Sequence, residues 1–262
     1  MKYKTIETDL KDFIATVWLN KPEKHNAFDD LMIEELTDAF TELSKTDDLR
    51  VVILRGKGKS FCAGADLNYM KDIAKYGYKE NFEDGKRLAT LFKTVYSCPH
   101  PTIAVVHGAA FGGANGLLSA CDIVIAEENT TFAFSEVKIG ISPATIGPYV
   151  LKRIGEFGGK ELMITGKRFK GKEAEKFGLV NKAVSYDEIE RVLQDYIKQI
   201  MTSAPKAAEA TKAMISTLVN GQMTIPDTMD YTADIIARLR AADEGQEGMA
   251  AFLEKRKPNW VK

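Results

Sequence analysis

Three short apolar runs most constrain how this chain can fold. They span residues 50–56, 101–108 and 122–128, and apolar residues follow one another in each instead of alternating with polar ones. A strand with apolar residues on both faces belongs in a sheet that is covered on both sides. Segments with helical spacing separate these runs along the chain. The pattern therefore predicts an α/β core.

The front half of the chain contains further strand and helix patterns. Alternating and β-branched residues predict additional strands at 3–8, 13–19 and 130–136. Helical spacing predicts a helix that begins after Asp29, helices at 66–76 and 80–97, and a short helix from residue 115.

The alternation stops near residue 142, and the rest of the chain reads as mostly helical. One strand is predicted at 179–184, with helices at 147–155, 159–166, 170–178, 187–202, 206–219, 227–242 and 243–256. We therefore expect an α/β core in residues 1–200 and a C-terminal helical region in residues 201–262. Apolar positions at helical spacing in that last region fit a partner surface and equally fit helices that cover their own core.

Composition excludes several classes of protein. The formal net charge is −1, so no strong field attracts nucleic acid or an anionic membrane, and no apolar run is long enough to span a bilayer. The N-terminus lacks the pattern of a secretory or transit peptide. The cysteines, Cys62, Cys98 and Cys121, are odd in number and lack metal-ligand spacing, which is typical of reduced thiols in a cytoplasmic protein.

Two glycine-rich loops could carry chemistry. The first, "SFCAGADL" (60–67), follows a buried strand, and its Asp66 is suited to cap the next helix. The second, "HGAAFGGANGLLSACD" (107–122), places Gly112 and Gly113 between a strand and a short helix, where free N–H groups can hold a phosphate or an oxyanion. The phosphate-loop pattern GxxxxGK[ST] is absent. Each loop taken alone fits a close-packed turn as well.

Glu136 is the carboxyl in the most apolar sequence context. It lies in "FAFSEVKIGISP" (132–143), where burial would raise its pKa and allow proton exchange near neutral pH. A surface glutamate or a salt-bridge partner is the alternative. Nucleophilic catalysis has less support, because Cys62 has no nearby histidine in sequence and Ser60 and Ser135 lack a G-x-S-x-G elbow.

In order and spacing, these segments resemble the crotonase (enoyl-CoA hydratase/isomerase) superfamily over essentially the whole chain. The resemblance rests on "LNKPEKHNAFD", "GKSFCAGADL", "PTIAVVHGAAFGGANGLLSACDIVIA", "FAFSEVKIGISP" and "EGMAAFLEKRKPNW". The pattern looks closest to bacterial methylglutaconyl-CoA hydratase-like members. It implies a spiral of ββα turns with a C-terminal helical trimerisation region, self-association as a trimer or hexamer, and an acyl-CoA substrate. It implies no metal and no cofactor, since coenzyme A is part of the substrate.

The resemblance also assigns roles to residues. It implies that the N–H groups of Ala63 and Gly113 form an oxyanion hole and that Glu136 transfers protons. The residues that it places at coenzyme A or the acyl group are Lys24, His25, Ala27, Ala63, Ala65, Asp66, Leu67, Gly112 and Gly116.

Gly116 departs from the family pattern. Hydratases of the superfamily carry a second glutamate there, and the neighbouring Asn115 could hydrogen-bond but not transfer a proton. We expect reversible hydration of a 2-enoyl-CoA, with a distal carboxylate on the substrate supplying the missing polar group. The alternatives are a Δ3,Δ2-enoyl-CoA isomerase with Glu136 as its single acid/base, a decarboxylase of a glutaconyl-type thioester, and a CoA-thioester-binding protein with little activity.

Overall fold

The structure, a computed structural model, describes residues 3–261. Its strands are β1 (Ile6–Lys11), β2 (Ile14–Leu19), β3 (Val51–Gly56), β4 (Thr102–Val106), β5 (Ala109–Phe111), β6 (Ile123–Glu127), β7 (Thr131–Ala133), β8 (Arg168–Lys170) and β9 (Lys182–Val184). Its α-helices are α1 (Asp30–Leu43), α2 (Leu67–Ile73), α3 (Tyr78–Tyr96), α4 (Gly113–Ala120), α5 (Gly147–Thr165), α6 (Gly171–Phe177), α7 (Ile189–Thr202), α8 (Pro205–Asn220), α9 (Ile225–Ala241) and α10 (Asp243–Leu253).

The main sheet has the strand order β1-β2-β3-β4-β6-β9. Its strands are parallel from β2 onward, and β1 is an antiparallel edge strand. The three apolar runs are β3, β4 and β6 at its centre. Alternate residues of β3 enter different cores: Val52 and Leu54 face the larger one, while Val51 and Ile53 pack with residues of α7. Burial on both faces explains why these strands are continuously apolar.

A second, smaller sheet has the order β5-β7-β8, with β5 parallel to β7 and β8 antiparallel to β7. Because β5 and β7 are parallel, the residues that follow them meet at the same edge of the sheet. The residue after β5 is Gly112, and Glu136 lies three residues beyond β7. This sheet therefore brings the second glycine loop and the candidate acid/base together.

Most predicted elements are confirmed, and the helix caps follow the expected chemistry. Asp29 precedes α1 and accepts the N–H of Met32, while Asp66 precedes α2 and accepts the N–H of Asn68. Sequence patterns missed β5 and β8, which have three residues each and do not lie in a longer run of strand-forming residues, as the equally short β7 and β9 do. The strand expected at 3–8 lies at Ile6–Lys11. The segments 147–155 and 159–166 form one element, α5, with a kink at Gly155, where φ is +68°.

The C-terminal helices are less covered than the core. Within the described chain, α8 and α9 contain no buried residue, and apolar side chains remain exposed along them, including Ile215, Val219, Ile225 and Met229. Lys212 of α8 is bound to the core through Asp122 and the carbonyl of His100. No helix within residues 3–261 is both long and apolar enough to cross a membrane.

Candidate active site

The two glycine-rich loops lie side by side. The loop after β3, residues 57–66, runs next to the segment that leads into β5. The N–H of Phe61 donates to the carbonyl of His107 at 2.8 Å, and the N–H of Cys62 donates to the carbonyl of Ala109 at 3.1 Å. These backbone hydrogen bonds form a short parallel ladder. The sequence predicted both loops, and the structure brings them together.

Phe28 fixes the end of the first loop against the start of α4. Its N–H donates to the carbonyl of Gly64, and its carbonyl accepts the N–H of Asp66, both at 2.7 Å. Its ring lies 3.3 Å from the position that a Cβ on Gly113 would take. The backbone around Ala65 is therefore held close to the N-terminus of α4.

The expectation that Ala63 supplies an oxyanion-hole donor is wrong. The Ala63 N–H donates to the carbonyl of His25 at 2.9 Å and is therefore occupied. The Ala65 N–H, two residues on, has no acceptor within residues 3–261. Gly64 and Asp66 bond to Phe28, and in an extended segment the N–H between such residues points to the other side. No pattern within the loop distinguishes Ala65 from Ala63, because the difference depends on a contact with His25, which lies far away in the chain.

The glycine pair at the start of α4 has an unusual backbone. Gly112 has φ +52° and ψ −123°, a conformation that L side chains rarely adopt, and its N–H donates to the carbonyl of Ala133. Gly113 is the first residue of α4, and its N–H has no acceptor in the part of the chain that the structure describes. The helix dipole adds partial positive charge at this point. The turn thus presents the Gly113 N–H as a donor for an anionic oxygen.

Glu136 faces this turn. It lies in the 3-10 helix Ser135–Ile139, and its Oε1 atom would be 3.3 Å from a Cβ placed on Gly112. Its Oε2 atom is buried and has no hydrogen-bond partner among the described residues. Burial raises the pKa of Glu136 above the usual value of a glutamate. A half-buried carboxyl with a raised pKa beside a free backbone donor can accept a proton and return it.

The structure gives Gly116 a role different from the expected substrate contact. Gly116 is buried, and a Cβ placed on it would lie 2.9 Å from both Ile146 Cβ and Phe92 Cζ, and closer still to Ile146 Cγ2. The space that a side chain would need is thus already filled. The predicted contact of Gly116 with the substrate is therefore not supported by the packing around it.

Asn115 does not take over the function of the absent carboxylate. Its Nδ2 atom donates to the carbonyls of Ala133 at 2.9 Å and Ala110 at 3.2 Å, so the side chain connects α4 to β5 and β7. Asn115 is completely buried, and its Oδ1 atom has no partner within the described chain. We interpret Asn115 as a residue that holds the glycine turn against the small sheet.

Most of the residues expected at coenzyme A lie in or beside the first loop. Lys24 Nζ lies 2.8 Å from Asp66 Oδ2, and this ion pair lowers the pKa of Asp66. His25 Nδ1 lies 3.2 Å from Ser60 Oγ, and Leu67 is largely exposed at the start of α2. Ala27 has a buried side chain, and its N–H donates to the carbonyl of Lys24. Their contacts with coenzyme A stay a prediction.

Sequence patterns missed a tyrosine that anchors α2. Tyr69 is the buried residue of that helix, and its hydroxyl lies 2.7 Å from both carboxylate oxygens of Asp84 on α3. Burial, followed by the bond to Asp84, raises the pKa of Tyr69. Because α2 begins next to Ala65, this contact helps to fix the first loop.

The cysteines do not offer a nucleophile. Cys62, Cys98 and Cys121 are free and buried, and burial raises the pKa of Cys62 to about 12. Within residues 3–261 no group of three or more His, Cys, Asp or Glu side chains is placed to hold a metal ion. The groups that the two loops bring together are unpaired backbone donors and the carboxyl of Glu136.

Two facing loops with unpaired N–H groups and a buried carboxyl define a site of the oxyanion-hole type. The sequence matches the family "Enoyl-CoA hydratase/isomerase" over residues 9–262, and the chain belongs to this family of enzymes. The expected α/β crotonase fold with a helical C-terminal region is thereby confirmed.

Individual relatives cover nearly the whole chain. The crystal structure of an enoyl-CoA hydratase from Shewanella pealeana is similar with a TM-score of 0.94 and 36% identity, over 99% of this chain and 97% of that one. A crotonyl-CoA hydratase of Syntrophomonas wolfei is 32% identical over 100% of this chain and 99% of its own length. A peroxisomal Δ(3,5)-Δ(2,4)-dienoyl-CoA isomerase of Arabidopsis thaliana is 31% identical over 99% of this chain and 98% of its own length. Hydratase names are common among the relatives, and isomerase names also occur.

Proposed function

We propose that this enzyme hydrates a 2-enoyl-CoA reversibly, with Glu136 as its acid/base and the N–H groups of Ala65 and Gly113 as its oxyanion hole. The observation that carries the proposal is the buried, unpartnered Oε2 of Glu136, in a carboxyl held against the turn that presents the Gly113 N–H. The hydratase names of several relatives support the same reaction.

The oxyanion hole stabilises the charge that develops during the reaction. When a nucleophile adds to C3 of an enoyl thioester, the electrons of the C2=C3 bond move toward C2 and the thioester oxygen, which gives an enolate. Two fixed N–H donors stabilise that oxygen without solvent reorganisation, and one such donor contributes roughly 3–4 kcal/mol to the transition state. Ala65 and Gly113 suit this role because neither side chain blocks the approach of the thioester to the backbone.

Glu136 can perform both proton transfers of a hydration. Its carboxylate takes a proton from water as the water oxygen bonds to C3. The carboxylic acid formed in this way then delivers a proton to C2, which collapses the enolate and restores the carboxylate. The raised pKa of Glu136 favours this role, since it brings the protonated and ionised forms closer in energy near neutral pH.

The water needs a second polar group to hold it, and position 116 does not provide one. We propose that the substrate carries this group as a distal carboxylate, as 3-methylglutaconyl-CoA does. The proposal rests on the sequence pattern for the identity of the acyl group. It rests on the absence of a side chain at Gly116 for the mechanism.

Isomerisation is the second candidate, and the filled space beside Gly116 favours it. A single carboxyl and an oxyanion hole are enough to take a proton from C2 of a 3-enoyl-CoA and return it to C4. No water has to be held. Ile146 and Phe92 leave the carboxyl of Glu136 without a second acid on the Gly116 side.

We also propose that coenzyme A lies along the first loop, beside Lys24, His25, Asp66 and Leu67, and that the chemistry needs no further cofactor.

Members of the family are commonly oligomeric, and we propose that the exposed apolar side chains of α8–α10 contact other subunits in a trimer or hexamer. Analytical ultracentrifugation tests the proposed oligomerisation. A purely monomeric protein at micromolar concentration would contradict it.

Product analysis in heavy-oxygen water tests the reaction. Crotonyl-, 3-hexenoyl- and 3-methylglutaconyl-CoA are incubated with the wild type and with Glu136→Gln, and the products are analysed by mass spectrometry. Oxygen incorporation identifies hydration, and migration of the double bond without oxygen identifies isomerisation. We expect Glu136→Gln to lose about 100-fold or more in kcat. Glu34→Gln, which removes an exposed carboxylate on α1, is the control. Unchanged turnover in Glu136→Gln would refute the assignment.

A further inference from the structure

Ile146 occupies the space that would belong to a side chain at position 116. It directly precedes α5 and is almost completely buried. A Cβ on Gly116 would meet both the Cβ and a γ-methyl group of Ile146 at distances that real Cβ atoms essentially never show. The glycine and the isoleucine are therefore complementary, because the side chain absent from α4 is replaced by one from another segment.

This filled space begins close to the candidate oxyanion donor. Gly116 lies three residues after Gly113, so the two positions share one face of α4. The ring of Phe92 contacts both positions, since its Cζ atom lies 4.0 Å from a Cβ on Gly113 and 2.9 Å from one on Gly116. A helical side chain leans toward the N-terminus of its helix, so a longer residue at 116 would extend toward the thioester.

The segment that carries Ile146 is packed between two helices. Its neighbour Thr145 has a methyl group 4.0 Å from a Cβ placed on Gly85 of α3. Ile146 itself contacts α4. Ile146 is 1% exposed, so the space that it occupies is enclosed by protein.

We propose that Ile146 determines the reaction specificity of this enzyme: by filling the space beside Gly116 it excludes a second acid/base, so that Glu136 transfers protons without the help of another carboxyl of the protein. The inference rests on the proposed function. It assigns a specificity-determining role to a residue outside the proposed oxyanion hole and acid/base. It also makes Gly116 and Ile146 a pair that must change together.

The consequence is a preference for substrates that bring their own polar group. Crotonyl-CoA has none beyond the thioester, so we expect slow hydration of crotonyl-CoA by the wild type. 3-Methylglutaconyl-CoA carries a distal carboxylate and should be hydrated faster. Isomerisation of 3-hexenoyl-CoA requires no water and should not depend on Ile146.

The decisive experiment builds the missing carboxylate together with the space for it. Gly116→Glu/Ile146→Gly is compared with the wild type, with each single variant and with Gly116→Gln/Ile146→Gly, which has the same shape without the acid. General acid/base groups contribute about 100- to 10,000-fold, and we expect the Glu double variant to gain about tenfold or more in kcat/KM for crotonyl-CoA hydration. The Gln double variant and Gly116→Glu alone should not gain.

Three kinetic outcomes would overturn the proposal. They are an equal gain in the Gln double variant, a gain in Gly116→Glu alone, and hydration of crotonyl-CoA by the wild type as fast as that of 3-methylglutaconyl-CoA. Glu136→Gln in the wild-type background separates this failure from failure of the proposed function. If Glu136→Gln loses turnover and Gly116→Glu/Ile146→Gly shows no gain, the proposed function is supported and only the role of Ile146 is refuted.

A stability cycle keeps the proposal testable if the Glu variants do not fold. Gly116→Ala, Ile146→Gly and the double variant are compared by thermal unfolding of the assembled protein. Because Ile146→Gly frees the space that the new Cβ needs, the combined loss in Tm should be smaller than the sum of the two single losses. Additive losses would show that the two positions do not share the space and would overturn the proposal.

Discussion

Gly113 and Gly116 lie one turn apart on α4, and their surroundings differ. Beside Gly113 the backbone N–H is unpaired in the described chain, and the nearest ring atoms would be 3.3 Å from an added Cβ. Beside Gly116 the space is filled by Ile146 and Phe92. The first glycine keeps the backbone accessible, while the second allows another segment to pack closely. Glycines of one motif can thus serve opposite purposes, access and exclusion.

The largest effect is expected from removing a donor on the accessible side. Replacing Ala65 by lactic acid converts its amide to an ester and deletes the N–H without changing the side chain. We expect kcat to fall by about 100- to 1,000-fold, as for the loss of one oxyanion-hole donor. The measurement is steady-state kinetics on the substrate that the wild type converts fastest.

The matched control is the same exchange at Ala63, whose N–H is bonded to His25. There we expect lower stability with kcat close to that of the wild type. A loss of kcat at Ala63 as large as at Ala65 would restore the assignment based on the sequence.

An added methyl group tests the two glycines directly. Gly116→Ala forces a Cβ into the space of Ile146 and Phe92, and overpacking of this kind costs about 1–3 kcal/mol in the free energy of unfolding. The tightest contacts of the new Cβ in Gly113→Ala are with the ring edge of Phe28 at 3.3 Å, so a smaller loss is expected. Denaturant unfolding of both variants provides the comparison. Equal losses would show that the two sites are packed alike.

The carboxyl opposite Gly112 should make stability depend on pH. Burial raises the pKa of Glu136 in the folded protein, so folding favours its protonated form. This contribution is fully present below the usual pKa of a glutamate and is lost as the pH rises through the raised value. Thermal unfolding of the wild type and Glu136→Gln between about pH 4 and about pH 8 tests it. The wild type should lose Tm relative to the variant as the pH rises, and a constant difference would contradict the shift.

The raised pKa of Glu136 also predicts how the activity depends on pH. Glu136 must be ionised to take the first proton, so kcat/KM should fall as the pH drops through its raised pKa. This acid limb should lie above the usual value of a glutamate. If kcat/KM instead falls at the usual pKa of a glutamate, the carboxyl of Glu136 is exposed to water in the working enzyme.

The sequence predicted the parts of the site that depend on local pattern. The runs that became β3, β4 and β6, the caps Asp29 and Asp66, and the apolar context of Glu136 are all properties of neighbouring residues. Local pattern is also sufficient to place Gly113 at a helix N-terminus.

The parts that sequence patterns missed depend on contacts between distant segments. Whether Ala63 or Ala65 has a free N–H is decided by His25 and Phe28, which lie more than thirty residues away in the chain. Ile146 fills the space beside Gly116 although thirty residues separate them, and the Tyr69 bond to Asp84 crosses from α2 to α3. No period or spacing in one segment encodes such pairings, because each depends on how the chain closes around the site.

The smallest effect is expected at that tyrosine, and it tests how firmly the first loop is held. Tyr69→Phe removes the hydroxyl that donates to Asp84 and leaves the ring in place, so we expect a loss of about 1 kcal/mol in the free energy of unfolding. Tyr76→Phe is the control, since that hydroxyl makes no hydrogen bond within residues 3–261. If α2 positions the Ala65 N–H, Tyr69→Phe should lower kcat with little change in KM, and Asp84→Asn, which can still accept the hydroxyl proton, should retain more activity. A change in stability without any change in kcat would show that the position of Ala65 depends on Phe28 and not on α2.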